Sequence, residues 1–222
     1  MPLMVTVLSL LETRVLGVLI EKERTVPDTY PLTLNALVTG CNQKTSRDPI
    51  ISASESEVQA TVDSLKSMSL VIESSGGRVA RYSHNFERVL QVPRQASALL
   101  AVLMLRGPQT VGELRINCER LHSFADISSV EAFLHELAER PAGALVRELP
   151  RQPGARENRW MHLLSGAPEV QESASGAAAP AGAVDLGVSE LATLKAKVAR
   201  LENDMSELQA LVAKIASDLG IR

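Results

Sequence analysis

Lys44 and Arg47 lie three positions apart, with Thr45 and Ser46 between them, inside the polar stretch 41–50. Two cations and two hydroxyls on one short turn are suited to holding phosphate oxygens through charge and hydrogen-bond donors. Further along, Arg78 and Arg81 follow the glycine pair Gly76-Gly77, and Arg147, Arg151, Arg156 and Arg159 gather around Pro150 and Gly154. The candidate nucleic-acid contacts are therefore Lys44, Thr45, Ser46, Arg47, Arg78, Arg81, Arg151 and Arg156. They can act together only if the turn and the two hairpin tips converge on one side, with their charges free of neighbouring carboxylates.

Other chemistry has weaker support. Cys41 lies in the polar stretch and His84 beyond the first hairpin. A thiol nucleophile needs a base within hydrogen-bond reach, and nothing in this spacing brings the two together. Cys41 is expected to pack at a helix end. Cys118 and His122 stand at i,i+4, but two ligands do not make a metal site. Gly76-Gly77 reads as a turn rather than a phosphate loop. No catalytic residue, metal or cofactor is expected. Asp48 is expected to hold Arg47 or to cap the turn, and Trp160, the single tryptophan, to lie in the core.

The chain has 222 residues, 45% of them hydrophobic and only 3% aromatic, which suits helical cores of Leu, Val, Ile and Ala. A net charge of −3 gives no support to a strongly polyanion-seeking protein, although every basic residue from 91 to 164 is arginine. Two distant cysteines fit a reducing cytoplasm. The apolar start Met1-Pro2-Leu3-Met4-Val5 lacks a preceding basic residue and a following cleavage site, so no signal peptide is expected. No apolar run approaches the roughly 20 residues of a membrane helix.

The elements that must position these residues follow from periodicity. Residues 9–23 carry Val15, Leu16, Leu19 and Ile20 on one helical face. Residues 25–30 read as an extended connector. Pro31 is placed in the first turn of a second helix bearing Leu34, Leu37 and Val38, which Gly40 ends. Ser54 with Glu57 is a capping box for a third helix carrying Val58, Val62 and Leu65. Residues 71–73 and 78–82 read as a strand pair, and 85–90 as a short helix. Three helices and a hairpin then recur. Residues 96–106, 110–120 and a segment opening at Ser128 read as helices, and 145–149 and 159–163 as strands. Leu16 and Leu19 align with Leu100 and Leu103, Leu34 and Leu37 with Val111 and Leu114, and Val58 and Leu65 with Val130 and Leu137. This is a diverged duplication, elaborated in the first copy at residues 41–50.

The fold class is therefore mainly α with small β wings (α+β): tandem winged-helix domains plus a C-terminal coiled-coil helix. The domains are residues 1–90 and 91–164, then an Ala/Gly/Ser/Pro linker at 165–189 and a coiled-coil helix at 190–222. From 165 to 183, 15 of 19 residues are Ala, Gly, Ser or Pro, too little apolar surface to fold. Leu191, Leu194, Val198, Leu201, Met205, Leu208, Val212, Ile215 and Leu219 then alternate steps of three and four. Valine at a with leucine at d favours a parallel homodimer, with a fold-back onto the same chain as the other arrangement.

The motif Asn42-Gln43-Lys44-Thr45-Ser46-Arg47-Asp48-Pro49 resembles the YceH-like family of uncharacterised bacterial proteins. Arg14 to Glu23, Thr29 to Asn35, Leu105 to Thr110 and Leu149 to Gly154 are similar to that family's other motifs. The resemblance spans residues 9–164 and implies a tandem winged-helix fold without implying an activity.

Two functions follow from these readings. In the first, the protein is a DNA-binding regulator that contacts the backbone through the turn and the wings. In the second, it is a protein-interaction adaptor or scaffold. The third helices bear on the choice. The first copy's carries Glu55, Glu57 and Asp63 against Lys66 alone. The second copy's carries Glu131, Glu136 and Glu139 against Arg140 alone. Carboxylates on a would-be recognition helix repel phosphate.

Overall fold

A serine or threonine with a glutamate three residues on opens three of the helices. In the computed structural model, which describes residues 7–74, 79–151 and 155–166, Ser9 and Glu12 close a reciprocal capping box on α1 (Leu10–Thr25). Ser54 and Glu57 do the same for α3 (Glu55–Ser67), as expected, and Thr110 and Glu113 for α6 (Val111–Cys118). Thr33 and Asp126 cap α2 (Leu34–Cys41) and α7 (Ile127–Ala138) with single side-chain bonds.

The architecture is helical with two small antiparallel sheets. Strand β1 (Leu32–Thr33) lies beside β3 (Arg81–His84), which pairs in turn with β2 (Val71–Ser74), giving the order β1-β3-β2. The short α4 (Phe86–Leu90) leads into α5 (Arg94–Arg106). After α6 and α7, β4 (Val146–Leu149) pairs with β5 (Arg159–His162). All described residues belong to one compact unit, and none of their helices is long and apolar enough to cross a membrane. The linker and the heptad segment lie outside the described residues.

Four local expectations need correction. Residues 27–29 form a 3-10 turn rather than an extended connector. Pro31 precedes the second helix, because Leu32 and Thr33 pair with Tyr82 and Arg81 before the chain turns at Thr33. Gly40 does not end α2, which continues to Cys41. It is glycine because a Cβ there would stand 2.6 Å from Val18 Cγ1. Lastly, α1 is buried on every side from Thr13 to Ile20, and α5 from Ala96 to Leu105. The first was read as burying one face. The other faces are covered because α1 packs most extensively against α5.

Gly17 sets how closely those two helices approach. A Cβ on it would lie 2.8 Å from Leu105 Cγ and 3.5 Å from the Ala101 carbonyl oxygen. Gly17→Ala should cost about 1–2 kcal/mol, because overpacking of about 1–3 kcal/mol outweighs a gain of about 1 kcal/mol in helix propensity. In a Leu105→Ala background the same change should be neutral or stabilising by up to about 1 kcal/mol. Urea unfolding of the four proteins measures this, and an equal effect in both backgrounds would contradict the contact.

Candidate functional site

The turn after α2 is built from the inside out. Its ends are tied by the Asn42 carboxamide, which donates to the Ala53 carbonyl and accepts from the Ala53 N–H, both at 2.8 Å. Its middle is clamped by two buried guanidinium groups. Arg14, fully buried on α1, donates to the Cys41 carbonyl at 3.1 Å and to the Pro49 carbonyl at 2.6 Å. Arg47 donates from Nε to the Gly40 carbonyl at 3.2 Å and from Nη2 to Glu21 Oε2 at 2.6 Å, with Nη1 reaching Glu21 Oε1 at 3.1 Å. The last carbonyls of α2, at its negative end, thus take hydrogen bonds from cations.

Arg47 was expected to face phosphate. Its side chain has 0% exposure and belongs to Glu21, so it is withdrawn from the candidate contacts. Asp48 does not hold it either. The Asp48 main-chain N–H donates to the Leu105 carbonyl at 2.8 Å, which fastens the turn to the end of α5. Ser46, at φ 59, accepts from Arg106 Nη2 at 2.7 Å. Thr45 is exposed, and its hydroxyl accepts from Gln43 Nε2 at 3.0 Å. Lys44 is exposed.

The hairpin residues are distributed differently. Arg78 lies outside the described residues. Arg81 turns Nη1 onto the carbonyls of Pro31 at 2.8 Å and Thr29 at 3.3 Å. Arg159 does the equivalent in the second half, reaching the Pro108 carbonyl at 2.9 Å and Glu113 at 3.3 Å. Arg151 and Arg156 share the rim of a groove of about 500 Å³ with Glu131, Glu148 and Glu157, so carboxylates outnumber the cations there. The turn residues Thr45 and Ser46 line a different cavity, of about 220 Å³. Lys22, Arg106, Asn117 and Arg120 also line it. Basic residues near helix C-termini read as ordinary complements to the helix dipole, so nothing in their local spacing signals that these meet.

Cys41 and Cys118 each end a helix, fully buried, as expected for Cys41. Burial pushes both thiols up to about 12, far from the thiolate a nucleophile requires. The His84 ring is paired with Glu23 at 3.1 Å. Trp160 is buried, as expected, edge-on to His135. Among the described residues no cluster of three or more His, Cys, Asp or Glu is arranged to hold a metal ion.

Two outcomes can be measured. Neither cysteine should react with Ellman's reagent in native protein at pH 8, and both should react in denaturant. A fast native reaction would contradict their burial. For Glu21, burial pushes the carboxyl up, but the hydrogen bonds and charge of Arg47 outweigh it and leave the net value below the ordinary 4.5. The stabilisation is present in full above about that value and is lost as pH falls through the depressed folded one. Glu21→Gln should cost about 3 kcal/mol at pH 7, as expected when a buried pair loses one partner, and less near pH 3. A cost independent of pH would place the pair in solvent.

The family described as "Protein of unknown function, DUF480" matches residues 8–155. A UPF0502 protein of Dechloromonas aromatica (strain RCB) is 63% identical over 205 residues, covering 92% of this chain and 94% of that protein. One from Burkholderia vietnamiensis (strain G4 / LMG 22486) is 59% identical over 211 residues, covering 95% and 89%. The YceH-like resemblance of the turn motif is consistent with both matches, and the chain belongs to the DUF480/UPF0502 family of bacterial proteins.

Proposed function

We propose that the chain is a protein-interaction adaptor built on two winged-helix copies, residues 1–90 and 91–164, joined by the linker to a dimerising heptad helix. The recurring order of three helices and a hairpin supports the tandem reading. So do paired positions: Thr33 and Thr110 as caps, Cys41 and Cys118 at helix ends, Tyr82 and Trp160 inward on the last strand. The observation that carries the adaptor reading is charge. Glu55 and Asp63 on α3, with Glu131 and Glu136 on α7, are exposed on the helices that would otherwise enter a groove of DNA. Meanwhile Arg47, Arg81 and Arg159 are engaged with carbonyls or carboxylates of the same chain.

A DNA-backbone reading keeps one supporting observation: Lys44, Arg147, Arg151 and Arg156 are exposed. Titration of the full chain against labelled duplex at 50 mM salt separates the two. The adaptor reading expects no binding tighter than about 10 µM, well short of proteins that make many phosphate contacts. Replacing Glu55, Asp63, Glu131 and Glu136 together by lysine should create salt-sensitive binding. Tight binding by the unaltered chain that weakens on Arg151→Ala and Arg156→Ala would overturn the adaptor. Leu201→Lys with Leu208→Lys should halve the mass seen in sedimentation if the heptads join two chains. An unchanged mass would remove the dimer.

A further inference from the structure

The 220 Å³ cavity under the turn has an unusual lining. Three cations reach it, Lys22 from α1, Arg106 from the end of α5 and Arg120 just past α6, against one carboxylate, Glu21. That carboxylate is already covered by the two-pronged contact from Arg47. Among the described residues neither Arg106 nor Arg120 has a carboxylate within ion-pair distance, and Lys22 has only the shared Glu21 at 3.5 Å. The hydroxyls of Thr45 and Ser46, which accept from Gln43 Nε2 and Arg106 Nη2, keep their own O–H groups to donate and also line the cavity. Val102 and Leu105 supply apolar wall, which lowers the local dielectric and strengthens each charge.

The neighbouring cavities do not share this character. The one of about 350 Å³ also has Arg106 and Asn117 in its lining, but there Asp48 and Glu113 balance Arg106 and Arg159. The hairpin groove has more carboxylates than cations. Only the cavity under the turn, among these three, has an excess of positive charge. Three cations facing one carboxylate that is already paired raise the local positive potential and favour uptake of an anion.

We propose that this cavity is a binding site for a small oxyanion of the phosphate type. Arg106 and Arg120 would supply forked N–H donors, Lys22 a point charge, and Thr45 and Ser46 short hydroxyl contacts. The site is small beside the about 300–1,000 Å³ of pockets for drug-sized ligands, so it suits inorganic phosphate or one terminal phosphate group, not a whole nucleotide. Its walls come from both copies. The anion would therefore link the turn of the first to α6 of the second and stiffen the joint. The left-handed backbone at Ser46 fits this role, since it brings Oγ to 2.7 Å from Arg106 at the cavity wall. The proposal does not rest on the adaptor reading.

Isothermal titration of the full chain with inorganic phosphate, at ionic strength fixed with chloride, tests it. Saturable binding with Kd about 1 mM or tighter is expected. Arg120→Gln, at an exposed position that leaves the core intact, and Lys22→Gln should each weaken binding at least tenfold. Arg88→Gln, away from the cavity, should not. In a thermal melt, phosphate should raise Tm above matched chloride in the unaltered chain and lose that advantage in the two cavity variants. A rise that persists equally in those variants would be the general stabilisation that follows from exclusion of phosphate from the protein surface and would overturn the site. So would the absence of saturable heat. Succinate binding more tightly than phosphate would overturn the choice of ligand class.

Discussion

The contact on which the arrangement depends is the buried pairing of Arg47 with Glu21, set beside Arg14. Helix α2 is only eight residues long, and its final carbonyls would face the interior unsatisfied. The two guanidinium groups satisfy Gly40 and Cys41 and pin the following turn through Pro49. Two like charges side by side in the interior repel each other, and Glu21 supplies the counter-charge. Removing one member would leave a buried charge and loosen the turn.

That turn also spans the joint between the end of α2 and the end of α5: the Asp48 N–H donates to the Leu105 carbonyl and Ser46 accepts from Arg106. The helix pair α1 and α5 forms the joint's core, brought close by Gly17. Asn42, Ser46 and Arg47 in the turn are engaged with other parts of the chain, while Lys44, Thr45 and Asp48 remain exposed.

Local chemistry was readable from the sequence, and encounters between distant elements were not. The Ser54–Glu57 box, the hairpin strands, the buried Trp160 and the packed Cys41 all depend on spacing within one segment. Helix α1 was expected to bury one face, because periodicity reports amphipathicity and cannot say what covers the remaining face. Arg47, in a polar stretch after two hydroxyl residues, reads as a surface cation. Only the path of the chain brings Glu21, twenty-six positions earlier, within 2.6 Å of it. Lys22, Arg106 and Arg120 were invisible as a set for the same reason.

A double-mutant cycle over Glu21→Gln and Arg47→Met, followed by urea unfolding at pH 7, measures the central contact free of each residue's other roles. The account predicts a coupling of at least about 1.5 kcal/mol, with the double variant less damaged than the sum of the singles. A coupling near zero would mean that the two side chains do not meet, and that the cation of the turn is free at the surface after all.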